Sequence, residues 1–141
     1  MIRYLLLVLF LLPLAAAHDV QAETQAGPYT IQLATVPDVL EPGPANIIVS
    51  VLENNVSVVQ HEVWLRLSNG NKVYLAGTFE TDGTGSVSLS YLFNSPGNYE
   101  LSVDVDGNRT MLPIDVHGQY LLLFGFLAAV FIVLALLMDR I

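Results

Sequence analysis

The sequence predicts an all-β sandwich, and three observations in the middle of the chain support this prediction. Apolar and polar residues alternate over seven short runs, turn-forming residues separate these runs, and no run repeats with the 3.6-residue period of a helix. Two sheets built from such strands bury their apolar faces against each other. Seven short strands in about 90 residues are typical of an immunoglobulin-like sandwich, which is the predicted fold class.

The chain opens with the three parts of a secretory signal. Arg3 supplies a positive charge, residues 4–14 are apolar, and small residues follow as far as Ala17. This order predicts a signal peptide over residues 1–17 that is cleaved after Ala17. Cleavage after Ala22 is the alternative, and an uncleaved anchor is disfavoured because the apolar run is short for a membrane span. Residues 18–28 follow as a polar lead segment.

The predicted sandwich domain covers residues 29–118. Its first strand shows the alternation, since Thr30 and Gln32 separate the apolar residues Tyr29, Ile31 and Leu33. The segment 37–44, with three prolines and a glycine, breaks the pattern. The seven predicted strands lie at residues 29–33, 47–51, 59–67, 73–79, 87–93, 99–105 and 112–116.

The pair Asp106-Gly107 is the signal of a two-residue hairpin turn. Pairing across this turn places apolar residues opposite each other on one face. On the other face it places Asp104 opposite Arg109, as an ion pair worth about 0.2–1 kcal/mol. The pairs predicted on the apolar face are Val103 with Thr110, Leu101 with Leu112, and Tyr99 with Ile114.

Residues 69–71 predict a three-residue loop, because a two-residue loop at Asn69-Gly70 would set apolar residues opposite polar ones. The register that follows pairs Leu67 with Val73, Leu65 with Leu75, and Val63 with Gly77. It also sets Arg66 beside Tyr74 on the outer face, next to Trp64.

These three outward side chains form a candidate contact surface. Trp, Tyr and Arg are enriched at protein interfaces, so Trp64, Arg66 and Tyr74 are predicted to contact a partner protein. The alternative is that they only cover the outer surface of the sheet.

A second apolar run lies near the C-terminus. Residues 120–138 carry no charge, and as a helix they cover about 28 Å, which matches one hydrocarbon core. The sequence therefore predicts a transmembrane helix over residues 119–138 and a cytoplasmic tail over 139–141. With the signal, it predicts a single-pass cell-membrane protein whose sandwich lies outside the cytoplasm. Gly125 and Ala129 form a small-xxx-small pair that can seat a partner helix.

The charge, the cysteine content and the motifs of the chain argue against several classes of function. The formal net charge is −8, and every acidic residue except Asp139 lies in residues 18–118, which argues against nucleic-acid binding. Cysteine is absent, so disulfides and a cysteine-linked lipid are excluded. Neither a glycine-rich phosphate loop nor a G-x-S-x-G nucleophile motif occurs, and a non-enzymatic protein is predicted.

The histidines are the candidate residues for binding a metal ion. Asp115 and His117 are two residues apart at the end of the last strand, so they share one face and can present a carboxylate and an imidazole to one metal ion. The alternative is a polar linker entering the membrane. Cleavage after Ala17 would make His18 the first residue, whose amine and imidazole suit copper(II). His61 is predicted to be a core or sheet-edge histidine.

Several features together resemble a known type of domain. These are a signal ending in Ala-His, the segment Gly27-Pro-Tyr-Thr-Ile-Gln-Leu33, a Pro-rich break, and a closing Gly-Asn-Tyr-Glu-Leu-Ser-Val strand. Over residues 18–116 the chain resembles exported bacterial domains of the YtkA-like type and, more loosely, the copper-resistance CopC type. CopC-type domains bind copper(II) through a mature N-terminal His and a later Asp-x-His, and the resemblance implies that His18, Asp115 and His117 are the matching positions. This chain has Asp-Val-His where that family has Asp-Gly-His, and it has no methionine cluster.

Two functions are therefore expected. The first is a non-enzymatic, membrane-anchored module that binds or supports a partner protein through the sandwich face or the transmembrane helix, with no cofactor. The second is a copper(II)-binding or copper-handling domain.

Overall fold

The computed structural model describes residues 19–118. Within this range the chain forms nine strands and no helix, so no described segment is a helix able to cross a membrane. The predicted signal peptide, transmembrane helix and tail, together with His18, lie outside the described residues. The strands are β1 (Ala22–Ala26), β2 (Tyr29–Val36), β3 (Gly43–Glu53), β4 (Val56–Ser57), β5 (Glu62–Asn69), β6 (Lys72–Glu80), β7 (Ser86–Phe93), β8 (Gly97–Val105) and β9 (Asn108–Val116).

The strands form two antiparallel sheets. In the five-stranded sheet β1, β2 and β3 are consecutive neighbours, and β3 pairs on its other side with β4 and with β7. The four-stranded sheet has the order β6-β5-β8-β9. The two sheets face each other as a β-sandwich, and this confirms the all-β prediction at the level of architecture.

One hydrophobic core fills the space between the sheets. Successive side chains of a strand point to opposite faces, so the alternation in the sequence puts every second residue of β2 inside. The central strands of both sheets contribute the most deeply buried side chains. These include Ile31, Leu33, Ile47, Val49, Leu65, Leu67, Leu101 and Val103, and the edge strands β7 and β9 add Phe93 and Leu112.

The β8–β9 hairpin has the predicted register. Asp106 and Gly107 form the turn, and both have positive φ angles, 52° and 83°. Leu101 lies opposite Leu112, and the other predicted apolar pairs match as well. The predicted ion pair is present, with 3.3 Å between Arg109 Nη2 and Asp104 Oδ2.

The strand count differs from the prediction of seven. The predicted polar lead contains β1, which pairs with β2 along its whole length. Its polar residues Glu23 and Gln25 face outward, and the inward face carries only Ala22, Thr24 and Ala26, so the segment lacks the large apolar residues that marked the other strands. The predicted strand 59–67 begins only at Glu62, because Gln60 has a positive φ of 52°, and the additional two-residue strand β4 lies before it.

The predicted register between β5 and β6 is wrong. Asn69 pairs with Lys72 across a two-residue turn, and the register shifts at a bulge between Leu67 and Ser68. Leu67 consequently pairs with Leu75 rather than Val73. The predicted three-residue loop preserved the apolar face. The observed turn at Gly70 and Asn71 and the bulge each shift the register by one residue, so the strand is displaced by two residues from its predicted position.

The two lateral sides of the sandwich differ. On one side β1 and β9 meet, with 3.1 Å between the hydroxyls of Thr24 and Thr110. On the same side Leu40 forms a parallel bridge with Val116. On the opposite side β7 faces β6 across a cluster of aromatic rings, formed by Tyr74, Tyr91, Phe93 and Tyr99.

Candidate functional site

Both ends of the described chain meet in one groove, which we call the end groove. It is formed by the start of β1, the connection between β2 and β3, and the last residues of β9. Its volume is about 210 Å³, and its lining comprises Gln21, Ala22, Asp38, Leu40, Pro113, Ile114, Asp115 and His117. The two predicted metal ligands at the end of β9, Asp115 and His117, therefore lie beside the point where the chain enters the sandwich.

Hydrogen bonds hold the end groove together. The Gln21 backbone N–H donates to the Leu33 carbonyl at 2.8 Å, which extends the β1–β2 pairing by one residue. The Gln21 side chain accepts a bond from the Thr35 hydroxyl at 2.9 Å and donates to the Asp38 carbonyl. The His117 N–H donates to the Leu40 carbonyl at 2.8 Å. The β2–β3 connection is thus tied to both ends of the described chain.

Asp115 and His117 share one face, because both are exposed and the residue between them, Val116, is buried. This is the arrangement that the sequence predicted. Among residues 19–118 no group of three or more His, Asp or Glu side chains is placed to hold a metal ion. A complete site at the end groove would therefore need a ligand from outside the described range, such as His18.

The structure brings together only part of the predicted contact surface. Trp64 and Arg66 lie on the outer face of the four-stranded sheet, both half-buried. Tyr74 does not join them, because the bulge turns it toward the core, where its ring lies 5.4 Å from that of Tyr99. Arg66 lies opposite Ala76 instead of Tyr74. The expected Arg66–Tyr74 contact is therefore wrong.

Arg109 takes the place next to Trp64 that the sequence had given to Tyr74. Trp64 pairs with Asp104 on β8, and Asp104 pairs with Arg109 on β9, so the three side chains form a row across the sheet. The guanidinium carbon of Arg109 lies 5.1 Å from the centre of the Trp64 ring, a cation–π contact. The Asp106-Gly107 turn predicts that Arg109 lies beside Asp104. No local sequence pattern predicts the pairing of β5 with β8, which brings Trp64 next to them.

A second polar cluster, which we call the Tyr29 cluster, lies at the opposite pole of the sandwich. The Tyr29 hydroxyl donates to Asp106 Oδ2 at 2.6 Å, and His61 Nε2 lies 3.0 Å from the same oxygen. The bond to Asp106, together with burial, raises the pKa of Tyr29 from 10.0 to about 12. The same bond is the main cause of the lowered pKa of Asp106, and the contact with His61 lowers this pKa further. His61 thus lies at the end of the sandwich rather than in its core.

Comparisons with protein-family models and with curated proteins give no match to this chain. The resemblance to YtkA-like and CopC-type domains stays a prediction from the residues quoted above.

Proposed function

We propose that this protein is a membrane-anchored, extracytoplasmic immunoglobulin-like domain that acts as a non-enzymatic binding or accessory module for a partner protein. The strand order supports the immunoglobulin-like assignment. β2, β3 and β7 correspond to strands A, B and E of such a sandwich, and β6, β5, β8 and β9 correspond to C′, C, F and G.

The observation that carries the proposal is the junction at the end of β9. Val116 is buried in the core, the His117 backbone is bonded to Leu40, and the predicted transmembrane helix begins at residue 119. Two residues span at most about 7 Å, so the sandwich would stand directly on the membrane without a stalk. A domain held in this way is suited to contact another membrane protein at a fixed height.

The anchoring is tested with a reporter fused after Ile141. We expect the fusion to be active only when the reporter works in the cytoplasm, and the sandwich to be degraded by protease added from outside the cytoplasm. Reporter activity outside the cytoplasm would contradict the proposed topology.

The partner is tested by mild cross-linking in native membranes, followed by purification of the full chain. A specific membrane protein is expected to co-purify. Arg66→Glu should reduce its recovery if the outer face makes the contact. Lys72→Glu is the matched control, since it changes the charge equally at the β5–β6 turn. A chain that is recovered alone under all cross-linking conditions would refute the accessory role.

The end groove favours copper(II) binding as a second candidate function. His18 precedes Gln21 by three residues, a separation of at most about 11 Å, so a mature N-terminal His18 can reach Asp115 and His117. The nitrogen and oxygen donors of these residues fit copper(II) in tetragonal geometry. Bound there, copper would be held by His18, Asp115 and His117.

N-terminal sequencing of the exported protein and copper titration of the full chain test this second function. We expect tight binding to be lost in His18→Ala and weakened in His117→Ala. His61→Ala is the control, because His61 lies at the other pole. A mature chain that starts at Glu23 would remove the amine–imidazole chelate and contradict the copper site.

A further inference from the structure

The free edge of β7 differs from the other strand edges of this sandwich. β7 pairs with β3 over Ser86–Phe93 without a register shift, and within residues 19–118 no strand pairs with its other side. Its sequence, Ser-Val-Ser-Leu-Ser-Tyr-Leu-Phe, contains no charged residue and no proline. Long, regular and uncharged edges are templates for pairing with another strand, and natural proteins usually protect them.

The edges of β1, β6 and β9 have such protection, and β4 has only two residues. β1 is short, carries Glu23, and lies against β9. β6 begins and ends with charged residues and contains the bulge. β9 carries a proline and two charges, and the β2–β3 connection covers its end. The protecting residues of β6 and β9 are Lys72, Glu80, Arg109, Pro113 and Asp115.

The direction of the β7 backbone can be read from its first residue. The Ser86 N–H donates to Asp82 Oδ1 at 3.1 Å, and the Ser86 carbonyl accepts from the Asp82 N–H at 2.9 Å. Both groups of Ser86 thus point away from β3. In an antiparallel ladder every second residue points the same way, so Ser88, Ser90 and Leu92 direct their N–H and C=O groups to the open side.

Apolar surface borders this edge on both faces. Toward the core, Tyr91 of β7 and Tyr74, Leu75 and Phe79 of the facing β6 are only partly buried, although they pack against the core. On the outer face, Leu92 is 56% exposed. It borders a depression of about 360 Å³, whose other lining residues are Val36, Pro44, Ala45, Asn46, Ser90 and Tyr91.

We infer that β7 binds an extended segment of the partner protein, which adds to the five-stranded sheet as a further strand. This inference rests on the proposed function and specifies its docking surface. Main-chain hydrogen bonds to Ser88, Ser90 and Leu92 would hold the segment. Apolar side chains at every second position would cover the exposed parts of Tyr91, Leu75 and Phe79. The segment is uncharged or basic, because the β7 edge is neutral and the chain carries a net charge of −8.

A second copy of this chain fits the edge less well. An antiparallel pair of β7 strands has its two-fold axis perpendicular to the strands, so the two copies would point the ends of their β9 strands in opposite directions. Two copies anchored in one membrane through residues after β9 cannot adopt that arrangement. The occupant is therefore a strand from a different protein.

The experiment uses the full chain in detergent micelles and, as its probe, a phage-displayed library of random decapeptides. Ser88→Pro removes one open-side N–H but leaves the bonds to β3 in place, and proline is tolerated on edge strands. Ser88→Ala is the matched control, because it keeps the N–H and removes only the hydroxyl. Thermal melts show whether both variants remain folded.

We expect the selected peptides to carry apolar residues at alternate positions. Loss of one main-chain hydrogen bond should weaken their binding to Ser88→Pro about tenfold, while Ser88→Ala binds as the parent does. Amide hydrogen exchange on the unaltered chain gives a second readout that needs no variant. A bound peptide should slow exchange at Ser88, Ser90 and Leu92 and leave the β6 amides unchanged.

Three results would overturn the inference. They are a selection that enriches no peptide, equal binding to both Ser88 variants, and protection of amides elsewhere. A dimer of the unaltered chain that Ser88→Pro dissociates would show that the occupant is a second copy. Co-purification of a native partner unaffected by Ser88→Pro would refute β7 docking but leave the proposed function standing. Peptide binding at β7 without any native partner would refute the proposed function but leave β7 docking standing.

Discussion

The Tyr29 hydroxyl and the Asp106 carboxylate are joined by a hydrogen bond of 2.6 Å that links the two sheets at one pole of the sandwich. Tyr29 begins β2 in the five-stranded sheet, and Asp106 lies in the β8–β9 turn of the four-stranded sheet. The bond favours a protonated phenol and an ionised carboxylate. It therefore makes the stability of the fold depend on pH at both extremes.

The first prediction concerns alkaline pH. The raised pKa of Tyr29, about 12 against 10.0, means that its stabilising contribution is complete below pH 10 and is lost as the pH rises through 12. Tyr29→Phe should therefore reduce the loss of unfolding free energy over this range, as measured by denaturant titrations at several pH values. Part of the loss should remain, because burial also raises the pKa of Tyr91. An unchanged pH slope in Tyr29→Phe would contradict the assignment.

Asp106→Asn is the control for this prediction. Asn is tolerated at the φ of 52° that Asp106 adopts, so the turn should persist while the negative charge is removed. The pKa of Tyr29, followed by tyrosine absorbance, should fall toward its ordinary value. An unaltered titration would show that burial and the charge of Glu53, and not the bond to Asp106, raise the pKa of Tyr29.

The second prediction concerns Trp64 and Arg109. Their cation–π contact on a partly exposed face should couple the two side chains by about 0.5–1 kcal/mol. The measurement is a double-mutant cycle of unfolding free energies with Trp64→Ala and Arg109→Ala. A parallel cycle between Trp64 and Arg66 serves as control, since the cation–π contact of Trp64 is made with Arg109 and not with Arg66. Strictly additive effects of Trp64→Ala and Arg109→Ala would show that the contact contributes nothing.

The third prediction concerns the centre of the core. Leu101 is fully buried, and its truncation to Ala should lower the unfolding free energy by about 2–5 kcal/mol. Met111, on the neighbouring strand β9, points outward with 57% exposure, and Met111→Ala should change stability by less than about 0.5 kcal/mol. Chemical denaturation of both variants tests the inward and outward faces of this hairpin. Equal effects would be inconsistent with the observed register.

The fourth prediction compares two glycines with positive φ. A methyl group at Gly85, with φ +77°, would lie 2.8 Å from Ser57 Cβ and 3.0 Å from the Val58 nitrogen. At Gly70, with φ +56°, it would meet nothing within 4 Å. Gly70→Ala should therefore cost only the backbone strain, about 1–2 kcal/mol, and Gly85→Ala should cost more. Thermal unfolding of the two variants measures these costs. A larger loss of stability in Gly70→Ala than in Gly85→Ala would contradict the close approach at Ser57.

Local chemistry explains which parts of the fold could be predicted. The β8–β9 register followed from Asp106-Gly107 because a two-residue turn fixes every pair beyond it. The β5–β6 register could not be obtained in this way. Its bulge turns Tyr74 toward Tyr91 and Tyr99, and these rings come from strands far away in the sequence. β1 was missed because alanines are too small to reveal which face is buried.

The candidate sites depend even more on distant parts of the chain. Alternation along β9 was enough to place Asp115 and His117 on one face. Their position beside Gln21 follows only from the way β1 and β9 meet across the sandwich. Tyr29 and Asp106 are 77 residues apart, and neither belongs to a recognisable motif. Packing of the two sheets against each other brings such residues together, and a single sequence carries no signal of it.

The end groove has a consequence for the architecture of the chain. Because the first strand starts and the last strand ends in the same groove, a short linker can join residues 19 and 118, and the chain can be reopened elsewhere. The turn at Gly70 and Asn71 is exposed and suits new termini. Such a circular permutant would begin with β6 and end with β5 while every neighbour in both sheets is kept. The order in which the strands are synthesised is thus separable from the order in which they pair.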